Sequence, residues 1–421
     1  MQYYPQQPYP APQPPAQPQA QTPPQSAPVP PYPPQPQAYP QPQPQAYQQP
    51  QAYPQPQPQT YPQPQTYQQP QVYQQPQVYQ QPQVYQQPQP VAPRYVQPMT
   101  PEQLRQYHYR RSLRRTANSI GGVLLVFFAM EIILDLVVTL VSGNAGKNMA
   151  ETAADTFFLL ENGVISVVIF FVCSLVYCLI RRVRFAEIFP FQKTGAAMLA
   201  KLCVIGLAFS LMSNYVVDMI NNTFGLFGIE NKGGSIDTGS EPQILLYIVT
   251  VAVLPALVEE FAFRGVVMGV LRPYSEGLAI LVSSATFALM HGNFVQMPFT
   301  FCCGLVFAFI DIKANSLLPS IIIHFFNNGL SVLADILLSY QILTEAQITM
   351  GYGFLFLVLA LLSFIFLKGM INSHDGSYFT LKNGDTGIRF KQKVTTVASS
   401  PTLITFAVLM GLYSCLILFL T

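Results

Sequence analysis

Residues Gln243–Leu271 read QILLYIVTVAVLPALVEEFAFRGVVMGVL, an apolar run that nevertheless carries Glu259, Glu260 and Arg264. About 20 consecutive apolar residues suffice for a helix to cross a bilayer, so this run predicts a membrane span. Each charged side chain at mid-bilayer costs about 2.5 to 3.5 kcal/mol. Three such charges in one span therefore indicate a polar cavity inside a membrane protein.

The composition agrees with a membrane setting. Half of the 421 residues are hydrophobic, only 10% are charged, and the formal net charge is +2. Such a small charge argues against a nucleic-acid partner. The Lys and Arg residues fall in clusters between apolar stretches, which is typical of a protein surrounded by membrane lipids.

The N-terminal segment has a different composition. Residues 1–98 consist mainly of Pro, Gln, Tyr and Ala, and from Tyr61 to Tyr85 a tyrosine recurs every six residues. Without aliphatic clusters this segment cannot build a core, so we predict a disordered cytosolic tail. Residues 99–116 follow as a basic juxtamembrane helix, with Thr100 as N-cap and Pro101 at the first helical position.

The rest of the chain, residues 117–421, is dominated by apolar stretches. Their length and spacing predict an all-α fold, a polytopic transmembrane bundle of about eight to nine spans with its core at about 243–338. The predicted spans are 117–141, 163–180, 195–220, 243–271, 277–291, 294–312, 317–338, 351–368 and 402–420.

The charges between the spans predict an orientation. Basic residues fall in alternate connections, and the connections between those are richer in acidic residues. The positive-inside rule then places the N-terminus in the cytosol and the C-terminus outside. We expect a multi-pass protein of a bacterial cell membrane. The basic connections are those containing Arg115, Arg181, Arg272, Lys313 and Lys382.

All six cysteines lie in apolar stretches, and none belongs to a Cys-x-x-Cys pair. We predict buried, reduced thiols without a structural disulfide framework. They are Cys173, Cys178, Cys203, Cys302, Cys303 and Cys415.

The charged residues of the fourth span divide into two roles. Glu260 and Arg264 are four residues apart, so they share a helix face and can neutralise each other. Glu259 is rotated by about 100 degrees and is left able to accept a proton from water. Pro255 removes a backbone donor one turn earlier, which predicts a kink that turns Glu259 into the bundle.

Two of the chain's four histidines lie in other predicted spans. His291 ends the fifth span, and His324 and Asn328 are spaced i, i+4 in the seventh. Counting 1.5 Å per residue from the predicted cytosolic ends places these side chains and Glu259 at depths between about 12 and 21 Å. We therefore expect them to meet in one site, with Asn327 as a weaker candidate on the same face as His324.

Three stretches together resemble a known family. Pro255–Gly265 (PALVEEFAFRG), Phe287–His291 (FALMH) and His324–Asn328 (HFFNN) are similar, in order, to the motifs of the CAAX protease and bacteriocin-processing family, also called Abi or type II CAAX prenyl endopeptidase-like. The resemblance covers residues 245–335. It implies an all-α intramembrane endopeptidase acting on a peptide or lipidated protein substrate.

The resemblance also implies roles for individual residues. Glu259 would activate the hydrolytic water with help from His291. Glu260 and Arg264 would organise the site around them.

The remaining motif residues, His324 and Asn328, would by the same resemblance stabilise the oxyanion. The family is often described as metalloproteases, and His291, His324 and Glu259 are chemically capable of binding a divalent metal such as zinc. The chain has no His-Glu-x-x-His motif, and a mechanism using only Glu and His fits the pattern equally well. The sequence leaves the cofactor open.

Three hypotheses follow. The first is hydrolysis of a peptide bond in a membrane-associated substrate, prenylated or bacteriocin-like, in or near the cytosolic leaflet. The second is a non-catalytic bacteriocin immunity or scaffold protein that uses the same bundle. The third is a transporter in which a carboxylate couples to protons. The order of the motifs favours the first.

Overall fold

The computed structural model describes residues 99–145, 151–192, 194–226, 241–374, 377–384 and 387–420. The predicted tail at 1–98 lies outside these ranges. Within them the regular secondary structure is helical, apart from an isolated bridge between Phe191 and Ser316. The all-α fold is therefore confirmed.

Three of the helical segments are π-helices that interrupt longer membrane spans. In chain order the helices are α1 Pro101–Ala145, α2 Glu151–Ser166, π1 Val167–Val172, α3 Cys173–Arg181, α4 Phe185–Ile188, α5 Ala196–Gly225, α6 Glu241–Tyr247, π2 Ile248–Val253, α7 Leu254–Glu260, π3 Phe261–Val267, α8 Met268–Leu271, α9 Glu276–Met290, α10 Gln296–Ala314, α11 Leu318–Ser339, α12 Glu345–His374, α13 Phe390–Ala398 and α14 Pro401–Leu420. A 3₁₀ turn covers Ser377–Phe379.

The described residues contain eight helices that are long and apolar enough to cross a membrane, and α9 is a shorter apolar helix beside them. This matches the predicted eight to nine spans. The first span differs in extent, because α1 runs without a break from Pro101 through the predicted juxtamembrane segment. Its start is as predicted: Thr100 Oγ1 accepts from the Gln103 amide at 3.2 Å, and the Gln103 side chain accepts from the Thr100 amide at 2.9 Å.

The basic connections meet at one end of the bundle, which we call the basic end and define by Arg114, Arg272, Lys313 and Lys382. Hydrogen bonds join them to neighbouring connections: Arg114 to the Ser399 carbonyl at 3.1 Å, Arg272 to Asn315 Oδ1 at 2.7 Å, Lys313 to the Thr380 carbonyl, and the Lys382 amide to the Glu276 carboxylate at 2.9 Å. The charge pattern of the sequence thus corresponds to one physical end of the molecule.

The prediction of buried cysteines is wrong for two of the six. All six thiols are free, and Cys178 and Cys303 are buried, but Cys302 and Cys415 are exposed on the helix surface. An apolar stretch of a membrane protein has a face that meets lipid as well as a face that meets protein. Apolar sequence context therefore does not establish that a thiol is buried.

Close packing of α8 against α4 depends on a glycine. A Cβ added at Gly269 would lie 2.7 Å from Ile188 Cβ and 2.9 Å from its Cα. Because the Cα belongs to the backbone, a rotamer change of Ile188 cannot relieve this contact. The fourth span is thereby held against the segment that follows the second one.

We expect Gly269→Ala to lower the free energy of unfolding by about 1–3 kcal/mol, since it inserts a methyl group where the neighbouring backbone leaves no room. Thermal unfolding in detergent, read with a thiol-reactive dye on buried Cys178 and Cys303, measures the change. Gly122→Ala is the matched control, because no described atom lies within 4 Å of the added Cβ. Equal stability of the two variants would contradict the packing role.

Candidate active site

The two glutamates of the fourth span lie on a short α-helical segment between two π-helices. α7 ends at Glu260, with π2 before it and π3 after it. A π turn takes an extra residue, so it changes which face of the helix the following side chains occupy, and such turns are frequent at functional sites. The local backbone therefore sets the direction of both carboxylates.

Pro255 creates a polar contact between the fourth and seventh spans. A proline has no N–H, so the carbonyl of Val251, four residues earlier, lacks the donor that an α-helix would supply. Asn328 Nδ2 donates to that carbonyl at 3.0 Å. Asn328 Oδ1 in turn accepts from Asn327 Nδ2 at 3.2 Å, which fixes the orientation of the carboxamide.

Glu260 is fully buried between two cationic or protonatable groups. Its Oε2 lies 3.3 Å from Arg264 Nε, and its Oε1 lies 2.8 Å from His324 Nδ1. The Glu260–Arg264 pair expected from the i, i+4 spacing is present. The Arg264 guanidinium, also fully buried, lies 4.1 Å from the centre of the Phe287 ring. The faces of aromatic rings attract cations, so this contact compensates part of the desolvation of the arginine.

Glu259 has different surroundings from its neighbour. Its carboxylate borders a cavity, and its Oε2 lies 4.0 Å from His324 Nε2. His324 thus stands between the two carboxylates, with Nδ1 towards Glu260 and Nε2 towards Glu259. Because a carboxylate can only accept, His324 Nδ1 carries a hydrogen in the bond to Glu260.

His291 comes directly after α9 and before Gly292, which adopts a left-handed φ of 61° and ends the helix. Its Nδ1 lies 2.9 Å from the Phe287 carbonyl, and the two ring centres are 4.8 Å apart. A carbonyl oxygen accepts, so Nδ1 is the donor and Nε2 of the neutral ring is left as an acceptor.

These side chains line one cavity of about 510 Å³. The structure brings five of the sequence candidates together there: Glu259, His291, His324, Asn327 and Asn328. Glu260 and Arg264 do not border the cavity and lie behind His324. A second cavity of about 500 Å³ shares His291, Asn327 and Asn328 with the first.

Several polar residues in and around the site were not identified from the sequence. Ser210 of α5 donates to Asn327 Oδ1 at 2.5 Å. Asp311 of α10 is buried, and its Oδ1 accepts from the Ser320 amide at 3.1 Å in the first turn of α11. Asp311 is an acid inside a predicted span, so the cost of burying a charge could have identified it. A serine in an apolar helix carries no comparable signal.

The proposed metal ligands do not form a metal site. Across the part of the chain that the structure describes, no group of three or more His, Cys, Asp or Glu side chains is arranged to hold a metal ion. His324 directs Nδ1 to Glu260, and its Nε2 is 4.0 Å from Glu259. The suggested set of His291, His324 and Glu259 does not converge on one point in this arrangement.

The eight long apolar helices and the polar site enclosed by them define an integral membrane protein. A model of the family described as type II CAAX prenyl endopeptidase Rce1-like matches residues 241–330, which contain all the motif residues. Through this segment the chain is similar to the CAAX protease family.

A curated relative supports this similarity. The chain is 33% identical over 102 residues to the membrane-embedded CAAX protease MroQ of Staphylococcus aureus (strain USA300). The match covers 23% of this chain and 41% of the relative, so the chain spans less than half of the protein it matches. No solved structure matches this chain.

The contact between Asn328 and Val251 gives a testable coupling. We expect Asn328→Ala to lower the free energy of unfolding by about 1–3 kcal/mol, because a carbonyl inside the bundle loses its donor. Pro255→Ala restores a backbone N–H near the same carbonyl. In that background the cost of Asn328→Ala should fall by at least about 0.5 kcal/mol, as measured by a double-mutant cycle of thermal unfolding. If the losses of stability caused by Asn328→Ala and Pro255→Ala simply added, the two residues would not be coupled through the Val251 carbonyl.

Proposed function

We propose that this protein is an intramembrane endopeptidase that hydrolyses a peptide bond of a membrane-associated substrate. The observation that carries the proposal is a cavity within an apolar bundle that presents a carboxylate, two imidazoles and a carboxamide. Burying such groups together is costly unless they act on a ligand or on one another. The names of the matching family and relative support peptidase chemistry.

In the proposed reaction Glu259 is the general base. It accepts one proton from a water molecule while the water oxygen forms a bond to the scissile carbonyl carbon. His291 accepts a hydrogen bond through Nε2 and orients the same water. The carbonyl becomes an oxyanion as its π bond opens. The C–N bond then breaks, and Glu259 returns its proton to the leaving nitrogen, which gives a carboxyl end and an amine end.

We assign the stabilisation of the oxyanion to two side chains. Asn328 uses one amide hydrogen on the Val251 carbonyl, and the other remains for a substrate oxygen. Glu260 accepts from His324 Nδ1 and so fixes the ring with Nε2 towards Glu259 and the cavity, where the doubly protonated ring would be the second donor. Such fixed donors are most effective where water is excluded, because the surroundings do not have to reorganise when charge develops.

The similarity to type II CAAX prenyl endopeptidases and the membrane setting support a class of substrate. We infer a membrane-associated peptide or lipidated protein, either prenylated or bacteriocin-like. We also infer a bacterial cell membrane with the N-terminal tail in the cytosol, which the basic end supports through the positive-inside rule.

The proposal is tested by comparing the peptide ends in membranes that contain the active protein with those that contain Glu259→Gln at equal abundance. We expect new ends only with the active protein, and their sequences identify the substrate. An immunity or scaffold protein would leave the two sets alike, and that result would overturn the proposal.

A further inference from the structure

The two cavities extend from the site towards the end of the bundle opposite the basic end. Counting 1.5 Å per residue from the basic-end terminus of each helix, His324 lies about 9 Å along α11. On the same scale Tyr215 lies about 28 Å along α5 and Tyr352 about 33 Å along α12, and both line the second cavity. The two adjoining cavities therefore extend away from the basic connections.

On the side towards the basic end the site has a closed floor. Phe287 and Phe307, which line the first cavity on that side, enclose the Arg264 guanidinium at 4.1 and 5.8 Å. Glu260 and Arg264 beneath them are fully buried. Water or a peptide chain cannot pass this layer without separating a buried ion pair, which is costly inside a bilayer.

On the opposite side the second cavity reaches the surface of the described residues. Tyr215 is 40% exposed, and Thr349 in the first turns of α12 is also exposed. Between this mouth and the site the wall carries neutral polar groups, namely Asn214, Ser331, Asn327 and Asn328. Amides and hydroxyls both donate and accept, so they can pair with the N–H and C=O groups of an extended peptide.

We propose that the substrate enters from the end opposite the basic end, which the positive-inside rule makes the extracytosolic face. The occupant is an extended, polar, uncharged polypeptide stretch that adjoins a membrane-embedded segment. That this polypeptide is a substrate of hydrolysis rests on the proposed function. This direction of entry differs from the cytosolic leaflet that the sequence led us to expect. The reason is that His324 and Glu259 lie above a floor that the one-dimensional pattern does not show.

Thiol labelling in sealed vesicles tests the direction of entry. Thr349→Cys places a thiol at the mouth, and Lys382→Cys places one at the basic end as the matched control. Each variant is treated with a membrane-impermeant sulfonated maleimide in right-side-out and in inside-out membrane vesicles. The unsubstituted chain gives the background from its six native thiols. Tyr215→Cys, on the opposite wall of the mouth, is a second reporter if Thr349→Cys does not accumulate.

We expect Thr349→Cys and Lys382→Cys to be labelled from opposite sides, with at least a ten-fold difference in labelling rate between vesicle orientations. Labelled Thr349→Cys should also lose at least ten-fold in hydrolysis relative to the same unlabelled variant, whereas labelling of Lys382→Cys should not change the rate. Labelling of both thiols from one side, or no labelling of either mouth reporter, would overturn the proposal. Labelling needs no turnover, so it distinguishes a wrong direction of entry from a wrong activity.

Discussion

Glu259→Gln should lower peptide hydrolysis by about 10²–10⁴-fold, the range that a positioned general base contributes. The substitution keeps the size of the side chain and its place at the cavity wall. It removes the capacity to take a proton from water. Because Glu259 borders the cavity and has no arginine partner in the described ion pairs, the thermal unfolding temperature should hardly change.

The measurement is turnover of a peptide library by purified protein in detergent, with the products read by mass spectrometry. Glu345→Gln is the matched control, since Glu345 is exposed in the first turn of α12, away from the site. It should retain full turnover. Undiminished hydrolysis by Glu259→Gln would eliminate Glu259 as the base, even if the protein proved to be a peptidase.

The Glu260→Gln variant separates the two glutamates further. Glu260 is fully buried against Arg264 and His324, so its loss should lower both stability and activity. Substitution of a residue that acts only in the reaction would lower activity and leave stability unchanged. If the two adjacent glutamates have different roles, Glu259→Gln should lower activity but not stability, whereas Glu260→Gln should lower both.

The sequence predicts the parts of this site that depend on local spacing and charge. The Glu260–Arg264 pair follows from an i, i+4 separation, and charges in an apolar run indicate a cavity whatever the fold around it. The presence of His291, His324 and Glu259 along one cavity was also expected, because helix rise and span length limit the depth of each side chain.

Other features depend on contacts between helices and leave no pattern along the chain. The π turns on both sides of α7 are stabilised where other helices satisfy the displaced carbonyls, as Ser283 does for Phe263 with a bond of 2.8 Å. The exposure of Cys302 likewise depends on which face of α10 meets lipid. A uniformly apolar helix does not encode that face in its hydrophobic period, so the sequence could not distinguish it.

The second large effect concerns the buried ion pair. Arg264→Met should lower the free energy of unfolding by about 3–5 kcal/mol, because it leaves Glu260 buried without its cationic partner. The Phe287 ring, 4.1 Å from the guanidinium carbon, would contact an apolar side chain of similar length. The loss therefore comes mainly from the stranded carboxylate rather than from a cavity. Thermal unfolding in detergent, followed with a thiol-reactive dye that labels the buried cysteines as they become accessible, measures this loss of stability.

Two controls isolate that cause. Arg264→Met combined with Glu260→Gln removes both charges and should recover much of the stability, since a buried pair replaced as a whole is often nearly neutral. Arg272→Met breaks another i, i+4 pair, with Glu276 at 3.4 Å, where the arginine side chain is 24% exposed. The Lys382 amide still donates to Glu276 there, so the loss should be clearly smaller. If the double variant were no more stable than Arg264→Met, packing by the arginine stem, and not charge compensation, would hold the floor of the site together.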